Sequence, residues 1–251
     1  MSYNTGHLNE ERLALAINNK MYDELNNNLR NLVMHAIPKF DRNKRIKCCK
    51  AEDYIKPDIV IYQEEEIRYI SVKCGTAEGV HEEKLDRFTN FLKESGFDDY
   101  TIESYLLFHF GDGTTNGTGE NRLTNFQVMV KYHDRIRKLN EQFNKSKDFI
   151  KIFADRVMFQ GVNPLANQAD ILYHGDEDFG LLMSRKQFMR HIDFKSWDFM
   201  ESVVHVGPFV LRPKGRYPNR EIKNDFYRFT VVVSYPRLFS DIQLISKKYN
   251  F

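Results

Sequence analysis

No apolar run in these 251 residues approaches the roughly 20 that a membrane-crossing helix requires. The opening stretch, "MSYNTGHLNEER", also lacks the apolar centre of a secretory signal. Cysteine is scarce. Cys48 and Cys49 are adjacent, Cys74 stands alone, and no CxxC spacing exists, which argues against a disulfide framework and a zinc finger. Reduced thiols fit a cytoplasmic location, so the Asn116-Gly117-Thr118 sequon is read as chance. Excess charge is missing too: 37 Lys and Arg against 35 Asp and Glu leave a net charge of +2, which does not by itself demand a nucleic-acid partner. The histidines (His81, His109, His133, His174, His191 and His205 among them) are scattered, with no HExxH or HxH spacing for a metal. There is no GxSxG elbow, and "GDGTTNGTG" lacks the Gly-Lys-Ser/Thr ending of a phosphate loop.

What is present is a chain able to fold. It is 41% hydrophobic and 14% aromatic, which supports a buried core and argues against disorder. No internal repeat or low-complexity block interrupts it. Charge is unevenly spread: from His205 to Phe251 there are nine Lys and Arg against three Asp and Glu.

Asn9 reads as a helix cap, with Glu10 and Glu11 in the favourable first turn. Leu13, Ile17, Met21, Leu25, Leu29 and Leu32 form a helical stripe with a break expected near Asn18-Asn19, and Pro38 ends it. "GVHEEKLDRFTNFLKES" reads as a helix and "YTIESYLLFHFG" as a buried strand. Residues 111–124 are loop by composition, and 125–159 look helical. "ADILYHG" is a short strand, "SRKQFMRHI" a short helix capped by Ser184, and "VVHVGPFVLRPKG" and "YRFTVVVSY" paired strands.

The stretch "KPDIVIYQEEEIRYISVKCG" carries the chemistry. Its pattern is a hairpin, Asp58–Gln63 and Ile67–Cys74, turning through the glutamates. Side chains alternate along a strand, so Ile67, Tyr69, Ser71 and Lys73 share one face. With a loop over Gln63–Glu66, Asp58 falls opposite Ser71 and meets Lys73 at the open end; a one-residue slip would separate them. Phosphodiester hydrolysis needs such a pair. A metal neutralises the phosphate and acidifies a water, and an adjacent lysine orients that water or stabilises developing charge. The bland alternative is a solvated cross-strand couple.

This order of elements resembles the PD-(D/E)xK nuclease superfamily, which includes most type II restriction endonucleases. The likeness covers roughly residues 9–110: an acidic helix, Pro57-Asp58 on a strand, Lys73 on the next strand, then a helix. The resemblance implies a restriction-endonuclease-like α/β fold, a mixed central sheet flanked by helices, here with a β-containing C-terminal region. It implies Asp58 as metal ligand, Lys73 as catalytic lysine and a glutamate from the first helix. Glu10 is in phase with Leu13 and Ile17 and faces inward, while Glu11 faces outward, so Glu10 is the choice. Ser71 departs from the pattern, because a serine supplies no negative charge. Some restriction enzymes of this superfamily carry SxK with the acid moved to the following helix. Glu82, Glu83 and Asp86 are the candidates, with Glu83 preferred.

The expected activity is Mg²⁺-dependent cleavage of double-stranded DNA, with Mn²⁺ able to substitute. Glu10, Asp58 and Glu83 would hold the metal, and Lys73 and Ser71 would complete the site. Arg212, Lys214, Arg216 and Arg220, interleaved with Tyr217, read either as contacts to DNA phosphates or guanine edges or as a solvated basic hairpin loop. Residues 1–110 are expected to form the catalytic core, and 111–251 a helical and β region adding DNA contacts. The resemblance also implies sequence-specific cleavage of the type II restriction class and a homodimer, and leaves open a cognate methyltransferase acting on the same site. Two other readings stay open: an inactive nuclease-fold protein that binds DNA, for which Ser71 speaks, and an interaction protein with a purely structural hairpin.

Overall fold

The computed structural model describes residues 5–51, 55–75, 79–119, 122–163, 165–191, 203–214 and 228–249. Two compact units interleave along the chain. One takes residues 1–77, 155–192 and 237–251, and the other 78–154 and 193–236. The compact units therefore do not divide at residue 110, because strands and helices from distant segments pair across the sequence.

In the first unit, α1 (Thr5–Ile17) starts before Asn9, so Asn9 is not its cap. The Asn9 amide instead donates to the Gly175 carbonyl at 2.8 Å, tying the helix to a strand end. The break near Asn18-Asn19 is present: Asn19 sits at φ 60°, which a helix cannot continue through. α2 (Asn27–Ala36) follows, its Asn26 side chain capping the Leu29 amide at 2.8 Å. Leu13, Ile17, Leu29, Leu32 and Val33 of these helices join one buried cluster with Ile59, Ile61, Ile70 and Val72 of the sheet.

That sheet has five strands: β1 (Lys47–Lys50), β2 (Ile59–Gln63), β3 (Glu66–Lys73), β5 (Ile171–Gly175) and β6 (Gly180–Ser184), in the order β1-β2-β3-β5-β6. β3 and β5 run parallel and every other pair is antiparallel, so the sheet is mixed. The fold class is α/β, with a mixed sheet flanked by helices. α8 (Arg185–His191) begins at Ser184, whose hydroxyl accepts from the Gln187 amide at 3.2 Å. α9 (Leu238–Tyr249) closes this unit.

The second unit holds β4 (Gly79–Lys84) with β7 (Val204–Val206), β8 (Phe209–Pro213) and β9 (Thr230–Ser234), in the order β4-β9-β8-β7. Among the described residues, five helices accompany them: α3 (Leu85–Glu94), α4 (Asp99–Phe110), α5 (Asn125–Lys131), α6 (His133–Lys145) and α7 (Lys147–Asp155). Rings of Phe88, Phe91, Tyr105, Phe143, Phe149 and Phe153 pack edge-on and tilted in its core.

Two sequence expectations change here. "YTIESYLLFHFG" is helix α4, not a strand. Asp98 caps it, accepting from Thr101 at 2.8 Å, and Gly111 ends it at φ 61°, the left-handed conformation a helix stop favours. Its residues are buried on nearly every side, so it shows none of the one-sided periodicity that marks a surface helix. "GVHEEK" is strand β4, and the helix expected there begins only at Leu85. Among the described residues, no helix is long and apolar enough to cross a membrane.

Candidate active site

The hairpin has the register expected of it. Gln63 pairs with Glu66 and Ile59 with Ile70, which brings Asp58, just before β2, level with Ser71. The Asp58 amide donates to the Ile70 carbonyl at 2.8 Å, so the aspartate is held by the ladder itself. The turn is Glu64-Glu65, with Glu64 at φ 56° and its carboxylate paired with Lys44. Ile59, Ile61, Ile70 and Val72 point into the core, which leaves Asp58, Ser71 and Lys73 on the opposite face.

Three donors converge on one oxygen. Asp58 Oδ2 accepts from the Val72 amide at 2.6 Å, the Ser71 hydroxyl at 3.1 Å and Lys73 Nζ at 3.4 Å. Lys73 Nζ also donates to the Val72 carbonyl at 2.8 Å. Oδ1 of Asp58 takes no donor among the described residues. Ser71 is wholly buried and acts as a donor to the aspartate. It orients the carboxylate; it does not replace a missing one.

Glu10 of α1 feels the charge of Asp58. It is buried, while Glu11 is exposed, as the helical phase requires. Burial raises the Glu10 carboxyl above its ordinary range, and the negative charge of Asp58 raises it further. His7 and Lys50 oppose that rise: His7 Nδ1 lies 3.1 Å from Glu10 Oε2, and Lys50 Nζ lies 3.6 Å from it. Lys50 ends β1, directly paired with Ile59.

Because its folded-state pKa is raised, ionised Glu10 costs stability. That cost is complete above the folded value and vanishes below the ordinary value of 4.5. Glu10→Gln is therefore expected to raise the melting temperature at pH 7 in EDTA and to leave it unchanged at pH 4. Equal shifts at both pH values would rule out this account of Glu10.

Like Lys50, a further lysine near the site carries no signal in the sequence. Lys56 precedes Pro57, and its side chain is buried, with Nζ donating to the Val157 carbonyl. Burial pushes it down to about 7, the charge of Lys73 adds to the fall, and Asp58 opposes it. Gly161 sits at φ 74°, and a methyl there would meet the Lys56 Cβ at 3.1 Å, so glycine permits the close approach. On the other side of β3, His174 of β5 pairs with Lys73 in the parallel register. Burial lowers the His174 pKa, with a smaller push from Lys73.

The relocated acid is a different matter. Glu83 lies on strand β4 of the second unit, fully buried, with His81 Nε2 3.4 Å from its Oε1. Glu82 is on the same strand, paired with Lys214. Asp86 is exposed in the first turn of α3. The helix expected to carry all three carries only Asp86, because Glu82 and Glu83 pair with Val232 and Val231 in a strand ladder. Among the described residues, no three or more His, Cys, Asp and Glu gather as a metal cage. Of the basic residues, Arg212 is exposed on β8 and Lys214 follows it; Arg216 and Arg220 lie outside the described residues. Cys48 is buried, Cys49 exposed and Cys74 half-buried, all three free thiols.

Comparison with known proteins adds little. No protein-family model and no curated protein matches the chain. One solved structure, restriction endonuclease MspI in complex with its cognate DNA, matches 82% of this chain and 76% of that one at 9% identity. Its TM-score is 0.39, too low to assign an activity.

Proposed function

We propose that the chain is a Mg²⁺-dependent endonuclease acting on double-stranded DNA, with Mn²⁺ able to substitute, and that its site lies on the β2–β3 hairpin and α1. The observation that supports this most is the meeting of Asp58 and Lys73 at 3.4 Å, with the buried carboxyl of Glu10 coupled to the charge of Asp58. The donor set suits the ion. Mg²⁺ takes hard oxygens and keeps several waters, so it needs only one or two carboxylates. Asp58 offers Oδ1, and the coupling of its charge to Glu10 is a repulsion that a divalent cation would relieve.

Glu10 and Asp58 would hold the ion. Bound there, it would supply Lewis acidity to a phosphate and a lowered pKa to a water. Lys73 supports ionised Asp58 and presents its ammonium to developing negative charge. Ser71 and the Val72 amide fix the rotamer of Asp58. The proposal gives Glu83 no ligand role, since its carboxylate is taken up with His81. Arg212, Lys214, Arg216 and Arg220 are proposed to contact DNA backbone or bases, and site-specific cleavage by a homodimer beside a methyltransferase extends the same proposal.

The test is direct. Incubated with plasmid, the protein is expected to give discrete fragments with Mg²⁺ and none with EDTA. Gel retardation without cutting would favour the inactive DNA-binding reading, for which Ser71 remains the supporting observation. Neither retardation nor cutting would leave the hairpin structural.

A further inference from the structure

The Lys50 ammonium reaches one carboxylate and one imidazole nitrogen. Its Nζ lies 3.6 Å from Glu10 Oε2 and 3.2 Å from His7 Nδ1, and His7 Nδ1 lies 3.1 Å from the same Glu10 oxygen. Glu10 itself is buried, whereas the Lys50 side chain is 39% exposed and the outer residues of β1 face solvent. A cation on the open side of a buried carboxylate holds that carboxylate while no stronger cation is near. It also repels any divalent ion that approaches. The ladder fixes where this happens: Lys50 pairs with Ile59, and the Ala51 amide donates to the Asp58 carbonyl at 3.0 Å, so the end of β1 lies alongside the aspartate.

We propose that Lys50 is an exchangeable counter-cation of this site, holding Glu10 until a divalent ion takes it and then passing to a backbone phosphate of the bound DNA. The inference rests on the metal-site reading above. Displaced from Glu10, the ammonium is left on a flexible four-carbon stem at the solvent edge of the site, where a phosphate is the anion that would reach it. Lys50 thus opposes metal binding in the free protein and favours DNA binding in the loaded one.

The experiment uses the full chain as wild type, Lys50→Met, Lys50→Arg and Asp58→Asn. Calorimetric titration with MnCl₂ gives metal affinity. Filter retention of a duplex with Ca²⁺, across a KCl series, gives the salt dependence. Lys50→Met is expected to bind Mn²⁺ about three- to tenfold more tightly, since a repelling unit charge is removed at contact distance. Its slope of log affinity against log salt is expected to be shallower by about 0.9, the loss of one phosphate contact. Lys50→Arg is expected to keep both wild-type values. A Mn²⁺ affinity for Lys50→Met unchanged within twofold or weaker, or an unchanged slope, overturns the inference. If Asp58→Asn binds Mn²⁺ as wild type does, or wild type retains no duplex, the functional reading itself falls. If Asp58→Asn loses Mn²⁺ and Lys50→Met does not gain, only the role of Lys50 falls.

Discussion

Lys73→Ala is expected to lower Mg²⁺-dependent plasmid cleavage by about 10³-fold while leaving duplex retention within about threefold of wild type. The ammonium it removes contacts Asp58 Oδ2 at 3.4 Å and the Val72 carbonyl at 2.8 Å, and in the proposed mechanism it is the group that would meet developing negative charge. Its side chain is only 19% exposed, and water would replace it poorly. Binding should survive, because affinity for DNA comes from many phosphate contacts and this is one. Folding should survive as well. Alanine is accommodated at a strand end, and a partly exposed ion pair is worth about 1 kcal/mol or less. Lys73→Arg is expected to recover little, since a planar guanidinium cannot reproduce a compact ammonium bound to two oxygens on one side. A fully active Lys73→Ala would refute the site.

The parts of this site legible in the sequence are those fixed by short-range periodicity. The β2–β3 register follows from a tight turn and a period of two, so Asp58 opposite Ser71 could be written down from the order of residues. The inward phase of Glu10 follows from its spacing to Leu13 and Ile17. What pattern could not give is set by long-range pairing. β4 is a run of charged residues, and it is a strand because β9, some 150 residues later, supplies its ladder. The expectation of a helix under Glu83 failed for that reason. α4 reads as a strand in the sequence because a helix buried all round has the composition of a core strand and no polar stripe. Lys50 and Lys56 gave no signal because their neighbours, Glu10 and Val157, come from other segments of the chain. Ser71, which looked like a missing acid, is a hydrogen-bond donor, a role that depends on the aspartate being level with it across the hairpin.

Asp58→Asn separates the metal from the scaffold. The asparagine keeps an oxygen that can accept from the Val72 amide and the Ser71 hydroxyl, so the hairpin should remain intact. It loses the charge, and with it the attraction for a divalent cation. Cleavage is expected to fall by about 10³-fold or more. The thermal stabilisation by Mn²⁺ should vanish with it. For wild type, an ion at about 100 times its dissociation constant adds about 2.7 kcal/mol, which corresponds to a rise of about 5–10 °C for a chain of this size. Asp58→Ala makes the contrast. It removes the charge and also leaves the Val72 amide and the buried Ser71 hydroxyl without their acceptor, each costing about 1–3 kcal/mol. Its melting temperature should therefore drop even in EDTA, where Asp58→Asn should melt close to wild type. If both variants lose the same stability in EDTA, the aspartate acts mainly through its charge on the fold. If Asp58→Asn keeps the Mn²⁺ shift, the ion is held elsewhere. Either outcome removes Asp58 from the centre of the chemistry, because the proposed role requires its charge for the metal and its oxygen for the hairpin.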